Sequence, residues 1–326
     1  MSSSQESAAM AALAAAIIAE MNQLGGPMLI GQILSAIFYG VTLLQTYLYY
    51  DKYGRQDHRL LLWLVGLLTF LDSLGMILSI DALWHYFIAN FSNPFNILTT
   101  SWTWLFPLVL TGLIGSTVQC FYAWRVWRLS HTFIVPTAVV ILATISVVTI
   151  TIYVALTLIR GISAIPKITW LSTTCLACSL GADIIIATSM IFYLYQGAHK
   201  GFKKTDHIVR KLMVYTINTG VVTTICNTAT VFLGIKYPAT YLNTATVFLL
   251  SKCYMNSMLA FLNARESLRA HAHSFNLSNM HPSRTTAPED IEVQVQNTTS
   301  TTYQRDHNMS LKASSQSSNR TTAQRS

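Results

Sequence analysis

Seven stretches of this chain are long and apolar, and short polar breaks separate them: 28–50, 60–82, 102–124, 133–158, 170–195, 212–235 and 241–263. Each reaches the roughly 20 residues that a helix needs to cross a hydrocarbon core. Beta-branched residues are abundant, above all in the fourth stretch, and in water they would favour strands. In lipid an open strand leaves its backbone groups unpaired, so these runs must close as helices. The short alternating segments of a membrane barrel do not appear. The pattern predicts an all-α, polytopic membrane protein with seven transmembrane helices.

Aromatic residues sit where the spans should meet the interface. Tyr47, Tyr49 and Tyr50 close the first stretch, Trp102 and Trp104 open the third, and Trp124 and Trp127 close it. Trp170 opens the fifth, Tyr193 and Tyr195 close it, and Tyr237 and Tyr241 flank the last short turn.

Composition agrees with this pattern. Of 326 residues, 52% are hydrophobic and only 10% are charged, against about 25% in a soluble domain. The net charge of +8 does not point to nucleic acid, because the basic residues fall between apolar runs and form no patch. Their placement orients the chain. One set of loops holds Lys52, Arg55, Arg59, Arg125, Arg128, Lys200, Lys203, Lys204, Arg210, Lys211, Arg265 and Arg269; the other holds Arg160, Lys167 and Lys236. Twelve against three places the N-terminus outside and the C-terminus in the cytosol; the plasma membrane is the expected location, and the topology by itself suits an internal membrane equally. The loop from Gln196 to Lys211 is the most basic, and it is a topology anchor or a docking site for a cytosolic partner.

The ends differ from the middle. Residues 1–25 lack the basic start of a signal peptide and read as a loose or weakly helical lead-in. Residues 26–270 form the membrane domain. Residues 271–326 are about one third Ser and Thr and too poor in apolar residues to fold alone, so they read as a disordered cytosolic tail with possible partner contacts. The sequon at Asn90 lies in the longest outside loop and is a candidate glycosylation site. Cys120, Cys175, Cys178, Cys226 and Cys253 all fall in apolar segments, so no disulfide framework is expected, and the Cys175/Cys178 pair lacks the partners of a zinc site.

Ionisable groups inside a bilayer are expensive, at about 2.5 kcal/mol or more each near its centre. Counting from the span ends puts Asp72, Asp183 and Lys252 at similar depth, on the second, fifth and seventh helices. One reading is an internal ion pair, Lys252 with Asp72, that holds helices together. The other is a ligand or ion site at the midplane, with Asn227 and Asn256 as added ligands and Gln45, Gln119 and Asn218 as polar neighbours. One network can do both.

Several motifs carry a family resemblance. They are GFKKTDHIVR at 201–210 with LMVYTINT at 212–219, FLLSKCYMNSMLAFLN at 248–263, QCFYAWRVWRLS at 119–130, and the run from Gly26 to Tyr50. Over residues 26–270 the chain resembles a basidiomycete seven-helix membrane family, domain of unknown function 6534. The resemblance implies seven spans and no assigned activity.

Other classes fit less well. A lysine in the seventh span invites a retinal Schiff base, but helix six has no Trp and helix three no carboxylate, so no cofactor is expected. Helix three ends Tyr122-Ala123-Trp124-Arg125 without an acidic residue before the Arg, unlike the known G-protein-coupled classes. No internal repeat supports a transporter. No metal cluster, nucleophile elbow or phosphate loop supports an enzyme. The expected function is a receptor- or sensor-like membrane protein; a solute or ion transporter using the midplane Asp/Lys cluster and a structural membrane protein are the alternatives.

Overall fold

A computed structural model describes residues 3–90, 101–199, 206–236 and 242–280. The chain divides into two compact units, Met1–Ala270 and His271–Ser326, and the apolar spans all belong to the first. The helices are α1 (Ser3–Tyr53), α2 (Arg59–Trp84), α3 (Trp102–Ser130), α4 (Ile134–Arg160), α5 (Ile165–His199), α6 (Asp206–Lys236) and α7 (Leu242–Met280). There is no strand among the described residues. Six helices are long and apolar enough to cross a membrane, and α6 contributes a shorter apolar stretch, Gly220–Lys236. The tail from residue 281, most of the outer loop after Asn90, and the centre of the loop from Gln196 to Lys211 lie outside the described residues.

The helix ends follow local chemistry. His58 caps α2, its ring Nδ1 accepting from the Leu60 N–H. A single π-helical turn, His85–Ala89, finishes that span. Gly161, with φ 74°, ends α4 in a conformation that a Cβ would disfavour. α1 starts at Ser3, well before the apolar stretch that begins at residue 28. The Ala-rich segment 8–19 is made of strong helix formers, which carries the helix back through the lead-in.

The spans bury a mixture of apolar, small and polar residues and turn large apolar side chains outward. On α1, Ser35, Thr42 and Tyr49 are buried, while Ile30, Ile37 and Leu44 are 58–61% exposed. Trp63, Phe70 and Ile77 form the matching exposed row on α2. Large exposed apolar faces on helix after helix need a lipid solvent. The chain is an integral membrane protein. Its many threonines remain helical there because their hydroxyls return to the carbonyl one turn back, as Thr144 does to Val140 and Thr228 to Thr224.

The seven-residue step on α1 also organises its neighbours. Gln32, Tyr39 and Thr46 meet Met76, Ser73 and Thr69 of α2 at 3.3, 2.8 and 3.2 Å. The second numbers fall as the first rise, so α1 and α2 are antiparallel. Against α7, Ser35 donates to the Phe248 carbonyl, and Asn256 and Asn263 donate to the carbonyls of Phe38 and Gln45. Here both numbers rise together, so α1 and α7 are parallel. Gly31 permits this seam: a Cβ there would stand 2.6 Å from the Ala245 Cα. α7 is the most enclosed span, with 67% of its Ala245–Arg265 window buried, against 22–44% for the other five.

Candidate functional site

Helix α7 turns about 100° per residue, so positions 252 and 254 face nearly opposite ways. Each projects into its own polar cluster.

Lys252 faces α2. Its ammonium donates to Asp72 Oδ1 at 2.6 Å and to the Asp72 carbonyl at 3.2 Å. The Tyr39 ring of α1 lies 5.2 Å from the same nitrogen, within cation–π range. Both side chains of the pair are sealed from solvent, at 4% and 0% exposure. The second carboxylate oxygen, Oδ2, is buried with no hydrogen bond. A cavity of about 20 Å³ lies between α1, α2, α3 and α7, with Asp72 and Lys252 among the residues around it.

Tyr254 faces α3, α5 and α6. Its phenol donates to Asp183 Oδ2 at 2.6 Å. Gln119 of α3 donates to Asp183 Oδ1 at 2.8 Å and to the Ser179 carbonyl at 3.0 Å. Asn227 of α6 lies 3.4 Å from Oδ2 and 3.2 Å from the Ser179 hydroxyl. Asp183 is therefore held by neutral donors on three other helices, where the first cluster uses an ion pair. Gly115 lets the Tyr254 ring pass close to α3, its virtual Cβ standing 3.1 Å from the ring.

The three mid-depth ionisable residues thus divide. Lys252 and Asp72 meet; Asp183 belongs to a different cluster on the far side of α7. Asn227 joins Asp183. Asn256 joins neither: it donates to the Phe38 and Lys252 carbonyls and ties α7 to α1. Asn90 donates to the His85 carbonyl at 2.8 Å and is half-buried, at the end of the π-helical turn. Gln119 sits in the second cluster as a donor, and Gln45 offers its backbone carbonyl to Asn263. The side chain of Asn218 lies outside the described residues.

One further cluster escapes sequence reasoning. At the end of the bundle where α1 turns into α2, Arg265 of α7 pairs with Asp57. Tyr49 donates to the same carboxylate at 2.9 Å, and the Tyr53 ring lies 4.8 Å from the guanidinium. Tyr254 is likewise invisible in the sequence, since a tyrosine in an apolar run reads as a packing residue. Their common signal is spacing on α7: 254 and 265 are eleven residues, or three turns, apart.

Residues 179–267 match the model of a family of unknown function, DUF6534. The match takes in the second half of α5, all of α6 and the enclosed part of α7, and so Asp183, Asn227, Lys252, Tyr254 and Arg265. Asp72, Gln119 and Asp57, which complete the three clusters, lie before it. No curated protein and no solved structure matches the chain.

Proposed function

We propose that this protein is a receptor- or sensor-like membrane protein of seven spans, in which α7 is the element that responds. On this reading α6 makes the remaining crossing. The N-terminus is outside, the tail is in the cytosol, and the membrane is the plasma membrane. The loop from Gln196 to Lys211 and the tail receive a cytosolic partner. The bias of twelve basic residues to three supports that orientation.

The observation that carries the reading is the grip on α7. A buried ion pair to α2 holds one face, and a neutral network to α3, α5 and α6 holds the other. A helix fixed by two discrete polar clusters has a defined position and a defined set of contacts to exchange for another, which is what a switch requires. A ligand that favours one arrangement of Lys252 and Asp72 over another shifts α7 by its difference in affinity for the two.

Ion and proton flux through full-length protein in proteoliposomes tests this, comparing wild type with Lys252→Met at matched folding yield. The sensor reading expects no flux in either, and a Lys252→Met protein that is folded but less heat-stable. Flux in wild type that vanishes in the variant overturns it in favour of a transporter that conducts through the midplane pair.

A further inference from the structure

Two thiols meet where α6 packs on α7. The Cys226 and Cys253 sulfurs lie 3.5 Å apart, in a contact where either can donate its proton to the other. Cys226 is half-buried and Cys253 is buried. Cys226 follows Ile225 and stands one turn after Val222, residues that are 62% and 49% exposed on the outward face of α6. Cys253 sits between Lys252 and Tyr254, so it shares a turn of α7 with both polar clusters.

The cysteines of α5 are placed differently. The Cys175 sulfur lies 3.2 Å from the Ser146 hydroxyl. Cys178 follows on the same helix, where neighbouring Cβ atoms are about 5–6 Å apart, too wide for the roughly 3.8 Å of a disulfide. Cys226 and Cys253 are on separate helices and escape that constraint. A disulfide needs about 2.05 Å between its sulfurs, so this pair, at 3.5 Å, must close by roughly 1.5 Å. Each sulfur swings on one side-chain torsion, and the closure is divided between the two.

Location selects the oxidant. Residue 253 adjoins the lysine that counting from the span ends puts at mid-depth, and the outward residues around Cys226 are apolar. Glutathione disulfide is charged, and hydrocarbon excludes it. A hydroperoxide on an oxidised acyl chain is already in the lipid phase that Cys226 borders.

We propose that Cys226 and Cys253 form a redox modification site, which lipid hydroperoxides oxidise to a disulfide that ties α6 to α7. In the first step the Cys226 sulfur attacks the terminal oxygen of the hydroperoxide. The O–O bond breaks, the lipid leaves as an alcohol carrying the thiol proton, and Cys226 becomes a sulfenic acid. In the second step the Cys253 sulfur attacks the Cys226 sulfur. The S–S bond forms, the S–O bond breaks, and hydroxide leaves as water with the Cys253 proton. The two thiols lose two electrons, and the hydroperoxide gains them. Cys226 takes the first step because it is the more exposed of the two. Cys253 takes the second because it already touches Cys226, which makes that step intramolecular. The site stands on its own geometry and does not depend on the sensor reading.

The test uses full-length protein in lipid nanodiscs, first reduced and then treated with cumene hydroperoxide, an apolar organic hydroperoxide. Free thiols are capped with N-ethylmaleimide during unfolding and counted by intact mass. The proposal expects the count to fall by two from the five of the reduced chain, with a cross-linked peptide joining Cys226 to Cys253, and a reductant to restore all five. Cys253→Ser accumulates a dimedone-reactive sulfenic acid at Cys226, and Cys226→Ser forms none at Cys253. An unchanged thiol count in wild type overturns the proposal. So does a loss of thiols without the 226–253 peptide. A sulfenic acid at Cys253 in Cys226→Ser overturns the choice of the attacked sulfur, and equal oxidation by glutathione disulfide overturns the lipid class of oxidant. Where a serine variant does not fold, the wild-type count and peptide decide. None of these readings touches ion flux in wild type or Lys252→Met, so this inference and the sensor reading fail separately.

Discussion

Tyr254 gives its phenolic proton to Asp183 across the α5–α7 contact at 2.6 Å, two residues after the lysine that pairs with Asp72. One turn of α7 therefore carries both clusters, on opposite faces. Removing the phenol oxygen with Tyr254→Phe leaves Asp183 Oδ2 with only Asn227, at 3.4 Å. A buried acceptor that loses its main donor costs about 1–3 kcal/mol. Thermal unfolding in nanodiscs should show a Tm lower by several degrees, with the fold retained. An unchanged Tm would mean that the bond does not hold α7 to α5.

The ion pair should behave differently in single and double variants. Lys252→Met leaves Asp72 buried and uncompensated, a loss of about 3–5 kcal/mol. Asp72→Leu leaves the ammonium in the same position and costs a similar amount. The double variant replaces both charges with apolar groups and should recover most of the loss. A double-mutant cycle checks this. Additive losses would show that the two residues do not act as a pair.

The Arg265–Asp57 pair lies where solvent reaches it, with side chains 22% and 18% exposed. Partial access of water weakens an ion pair relative to a sealed one, so Arg265→Gln should shift the Tm less than Lys252→Met. Salt should weaken this contact more than the Lys252–Asp72 pair. Equal losses for the two variants would mean that the end of the bundle is as tightly sealed as its centre.

The close approach of α1 and α7 depends on Gly31. In Gly31→Ala the new methyl would meet the Ala245 Cα at 2.6 Å and its carbonyl oxygen at 2.9 Å. Those are backbone atoms, so the helices must part, at an expected cost of about 1–3 kcal/mol. Gly40→Ala is the control, because nothing lies within 4 Å of its added methyl. A Gly31→Ala protein as stable as the control would show that the α1–α7 seam is looser than this.

The sequence by itself determined the helices and the membrane, and it set the expected depth of the ionisable residues. Hydrocarbon imposes its terms on each segment separately: every backbone group must pair within its own helix, and every outward side chain must be apolar. Such rules are legible one stretch at a time. A fixed rise per residue then sets how deep Asp72, Asp183 and Lys252 lie. What only the tertiary structure decided is which of them meet. That depends on the direction each residue faces around its helix and on which helix stands opposite, and both are set by packing between segments far apart in the chain. Lys252 and Asp72 are 180 residues apart, and Gln119 and Tyr254 are 135 apart. Depth left open whether Asp183 joins the Lys252–Asp72 pair or stands apart from it. The facing directions of residues 252 and 254 made it two clusters, joined through α7.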